Sequence, residues 1–192
     1  MDLEKYKIIL ASQSPRRQQL LREAGFTNFV VKPMNVDETP PPQYPAEKLA
    51  AYLADIKAEA ARPLLGIEGD IVLASDTTVV LNKKLYEKPS DIEDARRILR
   101  DLSGNMHEVI TGVCILSKKK KRVFSDISKV YFDTLSEAEI DFYIDKYKPF
   151  DKAGAYGVQE WIGHCKIRKI VGSYENIIGL PTYKVFKELM KF

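Results

Sequence analysis

The run Ile71-Val72-Leu73-Ala74 constrains the fold of this 192-residue chain more than any other feature. A strand with one face in water alternates apolar and polar residues, whereas an unbroken apolar run is typical of a strand buried on both faces. Helices have to cover both faces of such a strand. Apolar residues at helical spacing occur on either side of the run, within residues 49–60, 92–102, 140–147 and 185–190. The sequence therefore predicts a sheet packed between helices.

Strand patterns alternate with these helices along the chain. Short strands are predicted before Ala11 and at 29–31, and a strand at 78–81 continues the central run or pairs with it. Residues 107–116 and 123–132 are predicted to form a hairpin around the basic cluster 118–122, with further strand candidates at 156–158, 166–171 and 177–178. This order favours an α/β, or mixed α+β, fold with a two-lobed mixed sheet, flanking helices and a central cleft. We expect residues 1–192 to form a single domain.

Capping patterns predict where the helices start. Ser14 followed by Pro15 is typical of an N-cap and first helical residue, and Gly25 is placed to end that helix. Three further starts are predicted: capping boxes at Ser90/Glu93 and Ser136/Glu139, and a proline start at Pro181.

Composition excludes several classes of protein. The net charge of +3 is too small to indicate nucleic-acid binding, and no apolar run approaches membrane-spanning length. Cys114 and Cys165 lie far apart, which predicts buried thiols rather than a disulfide or a zinc site. The N-terminal residues carry acids and no apolar signal core. We therefore expect a cytoplasmic protein with neither nucleic acid nor membrane as a partner.

The first strand–turn–helix junction, residues 11–21, has the features of an anion site. A helix N-terminus presents free N–H groups and a partial positive charge. Ser12 adds a hydroxyl there, and Arg16 and Arg17 add guanidinium groups that suit phosphate oxygens. The pattern is typical of a polyphosphate site, and equally of an ordinary helix start with two solvated arginines.

Two carboxylates are candidates for a metal site. Asp76 follows the central apolar run, and ligands in open α/β sheets gather at the carboxyl ends of strands. It could activate water, hold a divalent metal, or serve only as a turn residue, and Thr77 would share the edge of the site. Glu38 lies in a polar loop and would be a second oxygen ligand if that loop folds over Asp76.

Three lysines and one glutamine complete the candidate site. Lys57, Lys88 and Lys152 are isolated from lysine runs and would suit the roughly four negative charges of a nucleoside triphosphate. Gln159 has one donor and one acceptor that could pair with a nucleobase edge. Solvent exposure is the alternative for each lysine. The chain lacks the P-loop, the dinucleotide-binding fingerprint and the nucleophile elbow, and the pattern around His107 indicates a structural histidine.

Taken together, these residues resemble the Maf family of nucleotide pyrophosphatases. The matching blocks occur in family order over nearly the whole chain: residues 11–17, 76–80, 87–89, 102–107, 111–113, 152–159, 172–174 and 179–181. The resemblance implies a two-lobed fold related to the inosine-triphosphate pyrophosphatases, in a cytoplasmic homodimer. It also implies hydrolysis of a nucleoside triphosphate to the monophosphate and pyrophosphate with a divalent cation, Mg²⁺ or Mn²⁺.

The resemblance also assigns roles to residues. It places the catalytic aspartate at Asp76, as base, metal ligand or both, with Glu38 as the second metal ligand. The other essential or phosphate-binding positions fall on Ser12, Arg16, Arg17, Lys57, Lys88 and Lys152. Arg16, Thr77 and Gln159 match the branch that prefers dTTP and UTP. One departure follows Gln159, where Glu160 and Trp161 stand in place of a common glycine.

The expected function is therefore removal of unwanted nucleotides by hydrolysis of dTTP, UTP and modified uridine triphosphates. One alternative is a nucleotide- or nucleic-acid-binding regulator of cell division, acting in septum formation with little hydrolysis. Another is a pyrophosphatase for purine or damaged triphosphates.

Overall fold

A computed structural model describes residues 3–192 and shows one mixed sheet flanked by helices. The strands are β1 (Ile8–Leu10), β2 (Phe29–Val31), β3 (Ile71–Leu81), β4 (Lys84–Tyr86), β5 (Met106–Leu116), β6 (Lys121–Phe132) and β7 (Ile167–Val171). The helices are α1 (Pro15–Glu23), α2 (Ala46–Ala61), α3 (Ile92–Leu102), α4 (Glu137–Tyr147), α5 (Trp161–Cys165), α6 (Tyr174–Ile178) and α7 (Thr182–Leu189). The expected mixed α/β fold is confirmed.

The sheet is parallel at one end and antiparallel over the rest. Its order is β2-β1-β3-β5-β6-β7, and β4 pairs with β3 outside that path. Strand β1 runs parallel to both β2 and β3, while the pairs β3–β5, β5–β6 and β6–β7 are antiparallel. The predicted hairpin is strands β5 and β6, with the lysine cluster at its tip.

Strand β3 has a gap along one edge. Strand β1 pairs with residues 71–73 and β4 with residues 79–81. Residues 74–78 therefore have β5 on one side and, within residues 3–192, no strand on the other. Asp76 was expected after the end of a strand, but β3 runs unbroken through it to Leu81. The carboxyl end that lies beside Asp76 is that of β1, which stops at Leu10. The gap forms the cleft.

The two largest apolar clusters pack on the sheet at the two ends of β3. One contains β1 and the first half of β3, packed by α1 and α7. The other contains the last part of β3 and β6, packed by α3 and α4. Ile178 packs against both clusters and lines the cleft.

Two of the four predicted helix starts are confirmed. Ser14 caps α1, with Pro15 as its first residue, and both bonds of the capping box form at Ser136 and Glu139. Pro181 caps α7 and is not its first residue. The predicted cap at Ser90 is wrong, because Asp91 adopts the extended cap conformation and accepts from the Asp94 N–H at 2.8 Å. A charged carboxylate is favoured at this position by the helix dipole.

Two short strand predictions are also wrong. Residues 156–158 form no strand, although Tyr156 and Val158 are buried, and residues 177–178 belong to α6. Short apolar runs do not distinguish a strand from a buried helix or loop. Cys114 is buried as expected, but Cys165 is exposed at the end of α5. Within residues 3–192, no helix is long and apolar enough to cross a bilayer.

Candidate functional site

One cavity of about 1040 Å³ opens at the gap in β3. Its walls come from the β1–α1 junction, α2, the middle of β3, the segment after β4 and residues 151–159. All ten residues singled out from the sequence line it: Ser12, Arg16, Arg17, Glu38, Lys57, Asp76, Thr77, Lys88, Lys152 and Gln159. The volume is that of a site for a small organic ligand.

The two candidate metal ligands converge on one lysine. Lys57 Nζ lies 2.6 Å from Asp76 Oδ1 and 3.0 Å from Glu38 Oε1. The side chains of Lys57 and Asp76 retain only 12% and 15% of their exposure, whereas Glu38 retains 54%. The loop that carries Glu38 therefore does fold over Asp76, and the two carboxylates share one ammonium group.

Close packing of α2 on the sheet brings Lys57 to Asp76. Gly112 on β5 is the register partner of Asp76, and a Cβ atom at Gly112 would lie 2.2 Å from the backbone of Ala50 in α2. The backbone of α2 therefore rests directly on β5 beside Asp76, and Lys57 follows Ala50 by two helical turns. Glycine and alanine at these positions allow this short interlayer distance.

Arg17 is a partly buried cation with neutral partners. Its Nε donates to the Gly179 carbonyl at 2.9 Å, Nη1 to Ser12 Oγ at 3.2 Å and Nη2 to Thr77 Oγ1 at 3.2 Å. Within residues 3–192 it forms no ion pair. Loss of solvent lowers the pKa of Arg17, and the charge of Asp76 opposes that shift. Two of the five guanidinium N–H groups are left to bind an anion.

Ser12 and Ser14 shape the N-terminus of α1. Ser12 Oγ accepts from Arg17 and from the backbone N–H of Ser14, at 3.2 Å in each case. Its own hydroxyl hydrogen is thus available to a ligand oxygen. The first turn of α1 lies in the cavity wall together with these groups, as expected for an anion site.

Thr77 and Arg17 are held in place by two residues that were not selected from the sequence, Thr111 and Ser75. Thr77 Oγ1 lies 2.9 Å from Thr111 Oγ1, its register partner on β5, and Thr111 Oγ1 donates to the Asn176 carbonyl at 2.8 Å. The Gly179 carbonyl also accepts from the buried Ser75 hydroxyl at 3.3 Å. These bonds depend on long-range pairing, and no local pattern indicated them.

Asp151 links two of the predicted cations. It lies 2.8 Å from Arg16 Nη1 and 2.7 Å from Lys152 Nζ. Burial alone would raise the pKa of Asp151, but the bonds from Lys152 and Arg16 outweigh it and lower the pKa to about 2. Sequence reasoning did not select Asp151, although its position beside Lys152 was a signal.

Lys88 and Gln159 are exposed in the cavity mouth. Among the described residues, neither side chain forms a hydrogen bond or an ion pair. The carbonyl of Glu87 accepts from the Gly154 N–H at 3.2 Å and so joins the Lys88 segment to the turn that carries Lys152. The polar groups of Lys88 and Gln159 are free to bind a ligand.

The carboxylates of Asp76 and Glu38 fit a divalent cation that also binds phosphate oxygens of a ligand. Residues 3–192 contain no group of three or more His, Cys, Asp or Glu side chains placed to hold a metal. Mg²⁺ commonly binds through one or two carboxylates, with phosphate oxygens and water completing the octahedron. Asp76 and Glu38 supply such a pair, because both reach the same point in the cavity.

Comparison with known proteins places the chain in a family. Residues 7–192 match the family model described as "Maf-like protein". A protein of Cytophaga hutchinsonii named "dTTP/UTP pyrophosphatase" is 48% identical over 184 residues, covering 96% of this chain and 83% of the relative. One of Bacteroides thetaiotaomicron with the same name is 45% identical over 191 residues, covering 99% and 98%. A solved structure of the Staphylococcus aureus Ham1 protein is 17% identical, with a TM-score of 0.47 over 65% of this chain and 71% of that one.

Proposed function

This chain belongs to the Maf-like protein family, and on that basis we propose that it hydrolyses dTTP and UTP to the monophosphate and pyrophosphate. Modified uridine triphosphates are further expected substrates, so the reaction would remove unwanted nucleotides. The names of the relatives support the reaction and the substrates.

The observation that carries the proposal is the charge pattern of the cavity. Arg17 brings a partly buried positive charge whose three hydrogen-bond acceptors are all neutral. Such a cation is stabilised by an anionic ligand, because an opposite charge compensates its lost hydration. Four more cations line the same wall, namely Arg16, Lys57, Lys88 and Lys152. A triphosphate has the charge to match this set.

The reaction would be an attack of water on the α-phosphorus. The water oxygen bonds to the α-phosphorus, a water proton passes to a carboxylate oxygen of Asp76, and the bond from phosphorus to the α,β-bridging oxygen breaks. Pyrophosphate leaves with that electron pair. Asp76 would orient the water, and Lys57 would keep the Asp76 carboxylate in place. Arginine and lysine donors would stabilise the charge that develops on the phosphoryl and leaving groups.

We propose that Asp76 and Glu38 also hold a divalent cation, Mg²⁺ or Mn²⁺. When bound, the cation would polarise phosphate oxygens and neutralise their charge. The Lys57 ammonium lies between the same two carboxylates, so a bound cation would have to share them with it.

Base recognition would involve Gln159. Its free amide offers one acceptor and two donors at the mouth of the cavity. The N3–H and O4 edge of uracil or thymine matches one acceptor and one donor. A cytosine presents an amino group instead and would leave polar groups unpaired. Thr77, by contrast, is bonded to Arg17 and Thr111, so it would act on the position of Arg17.

We further propose a homodimer in the cytoplasm, on the family resemblance. Light scattering at micromolar concentration should give twice the monomer mass of 21.9 kDa. A monomer mass would contradict the dimer.

Product analysis tests the proposed reaction. The protein is incubated with Mg²⁺ and dTTP, UTP, CTP, ATP, GTP or 7-methyl-GTP, and pyrophosphate and monophosphate are measured together, with and without EDTA. We expect both products in equal amounts from dTTP and UTP, and none with EDTA. Release of inorganic phosphate as the primary product would contradict the proposal. Tight binding of dTTP without hydrolysis would favour the regulatory alternative.

A further inference from the structure

The carboxylate of Glu160 lies directly behind Lys152. Glu160 Oε1 is 3.2 Å from Lys152 Nζ, and Lys152 retains only 10% of its side-chain exposure. Glu160 is not part of the cavity wall, whereas Lys152 is. A negative charge thus sits on the far side of one of the cations that line the cavity.

The Glu160 carboxylate is itself held in place. The Tyr143 hydroxyl, on α4, donates to Glu160 Oε2 and accepts from the backbone N–H of Gly157 at 2.9 Å. A Cβ atom at Gly157 would lie 2.7 Å from Glu160 Cδ, so the carboxylate packs against that glycine. Burial, followed by the bond to Glu160, raises the pKa of Tyr143. The tyrosine therefore stays a hydrogen-bond donor.

The two carboxylates that pair with Lys152 differ in freedom. Asp151 retains 60% of its exposure and can turn into solvent when phosphate oxygens take its place. Glu160 retains 17% and is fixed by Tyr143 and Gly157. A ligand that replaces Asp151 would leave Lys152 paired with Glu160.

We propose that Glu160 is a positioning residue that holds Lys152 towards the phosphates of the bound nucleotide. The proposal rests on the proposed function, in which Lys152 contacts a triphosphate. Tyr143, Glu160 and Lys152 then form a line from α4 to the ligand. The side chain of Lys152 has many rotamers, and a fixed partner reduces the freedom that is lost when it binds.

The direction in which Kd changes when Glu160 is replaced distinguishes a positioning role from a purely electrostatic effect. Replacing Glu160 by glutamine removes a negative charge near an anionic ligand. If Glu160 contributed only charge, this change would tighten binding, because like charges repel. If Glu160 positions Lys152, the same change weakens binding despite the more favourable net charge.

The test uses the α,β-methylene analogue of dTTP, whose P–C bond cannot be cleaved to pyrophosphate. Calorimetry with Mg²⁺ gives its Kd for each variant, and thermal unfolding shows that each variant is folded. We expect Glu160→Gln to raise Kd about tenfold, because the Lys152 side chain would then lose its rotamer freedom on binding. The control is Glu137→Gln, an exposed glutamate on α4 paired with Arg100, and its Kd should equal that of the wild type.

A double-mutant cycle shows whether Glu160 acts through Lys152. In a Lys152→Met background, Glu160→Gln should no longer raise Kd, since the group that it positions is gone. Tyr143→Phe removes the donor to Glu160 and should raise Kd about threefold, as loss of one hydrogen bond does. If Glu160→Gln does not fold, the Kd of Tyr143→Phe tests the role of Glu160 in its place.

Each outcome bears on one proposal or on both. Unchanged or tighter binding by Glu160→Gln overturns the role of Glu160, as does an equal loss with and without Lys152. Binding of the analogue without pyrophosphate release from dTTP overturns only the proposed reaction. Absence of binding by the wild type overturns both.

Discussion

Lys57 Nζ lies 2.6 Å from Asp76 Oδ1, and both side chains are largely buried. Helix α2 carries the lysine and strand β3 carries the aspartate, and contact with Gly112 sets the distance between these two elements. A buried charge that loses its partner is strongly unfavourable. The Lys57–Asp76 ion pair in the cavity wall therefore depends on the packing of α2 against Gly112, which lies outside that wall.

Replacing Asp76 by asparagine should abolish hydrolysis and leave the fold intact, because Lys57 keeps its ion pair with Glu38. Asparagine keeps the shape of the side chain but cannot accept the proton of the attacking water. We expect kcat to fall at least ~100-fold, the usual contribution of a general base. Pyrophosphate release and circular dichroism are measured together, with Asp133→Asn, an exposed carboxylate outside the cavity wall, as control. Near wild-type turnover by folded Asp76→Asn would remove this residue from the mechanism.

Arg17→Lys should lower kcat/KM for dTTP by about 100-fold, the usual cost of losing one donor to the transition state, because lysine cannot reproduce a planar fork of donors. Arg17 donates to three separate acceptors, and an ammonium group cannot reach all of them from one point. Steady-state kinetics measure the change. Arg168→Lys is the matched control, since Arg168 is exposed and outside the cavity wall. Equal kinetics for the two variants would contradict the role assigned to Arg17.

Gly112→Ala should destabilise the protein and reduce its activity. The new methyl group would overlap the backbone of Ala50, so α2 has to move away from the sheet. Overpacking of this kind costs typically 1–3 kcal/mol in the free energy of unfolding. Urea denaturation measures that loss, and dTTP turnover measures the displacement of Lys57. Wild-type stability would mean that α2 does not rest on Gly112.

Gln159→Glu should reduce turnover of dTTP and UTP more than it reduces triphosphate binding. A carboxylate accepts hydrogen bonds but cannot donate to O4 of the base. Initial rates with dTTP and UTP and the Kd of tripolyphosphate are compared, with Gln43→Glu as control, since Gln43 is exposed and outside the cavity wall. The recognition scheme fails if the wild type has a higher kcat/KM for GTP or 7-methyl-GTP than for dTTP and UTP.

His107 should make the protein less stable in mild acid. Burial lowers the pKa of His107 from 6.5 to about 3, and its Nε2 lies 2.8 Å from the Tyr156 hydroxyl. Below pH 6.5 the unfolded chain binds a proton at this residue, while the folded chain does not until about pH 3. The free energy of unfolding therefore falls as pH decreases, by at most about 1.4 kcal/mol per pH unit.

Urea denaturation at pH 7, 6 and 5 measures this slope in the wild type and in His107→Gln. The glutamine is polar but does not titrate, so the slope should be shallower in the variant. Parallel pH dependences would show that His107 is not the responsible group.

Local patterns determined most of the individual elements. The cap at Ser14, the capping box at Ser136 and the hairpin of β5 and β6 each follow from residues close together in sequence. These features depend on backbone propensity and on hydrogen bonds within one or two turns. The ten candidate residues were likewise found from motifs and family order, and all of them line the cavity.

The tertiary structure alone decided how those residues meet. The gap along the edge of β3 could not be predicted, because it depends on where β1 ends and where β4 begins. The same holds for the partners of Arg17, for the contact of Gly112 with α2 and for the line from Tyr143 through Glu160 to Lys152. Most of these contacts join residues far apart in the chain. A sequence pattern records the periodicity of one element, whereas such contacts arise from the packing of several elements at once.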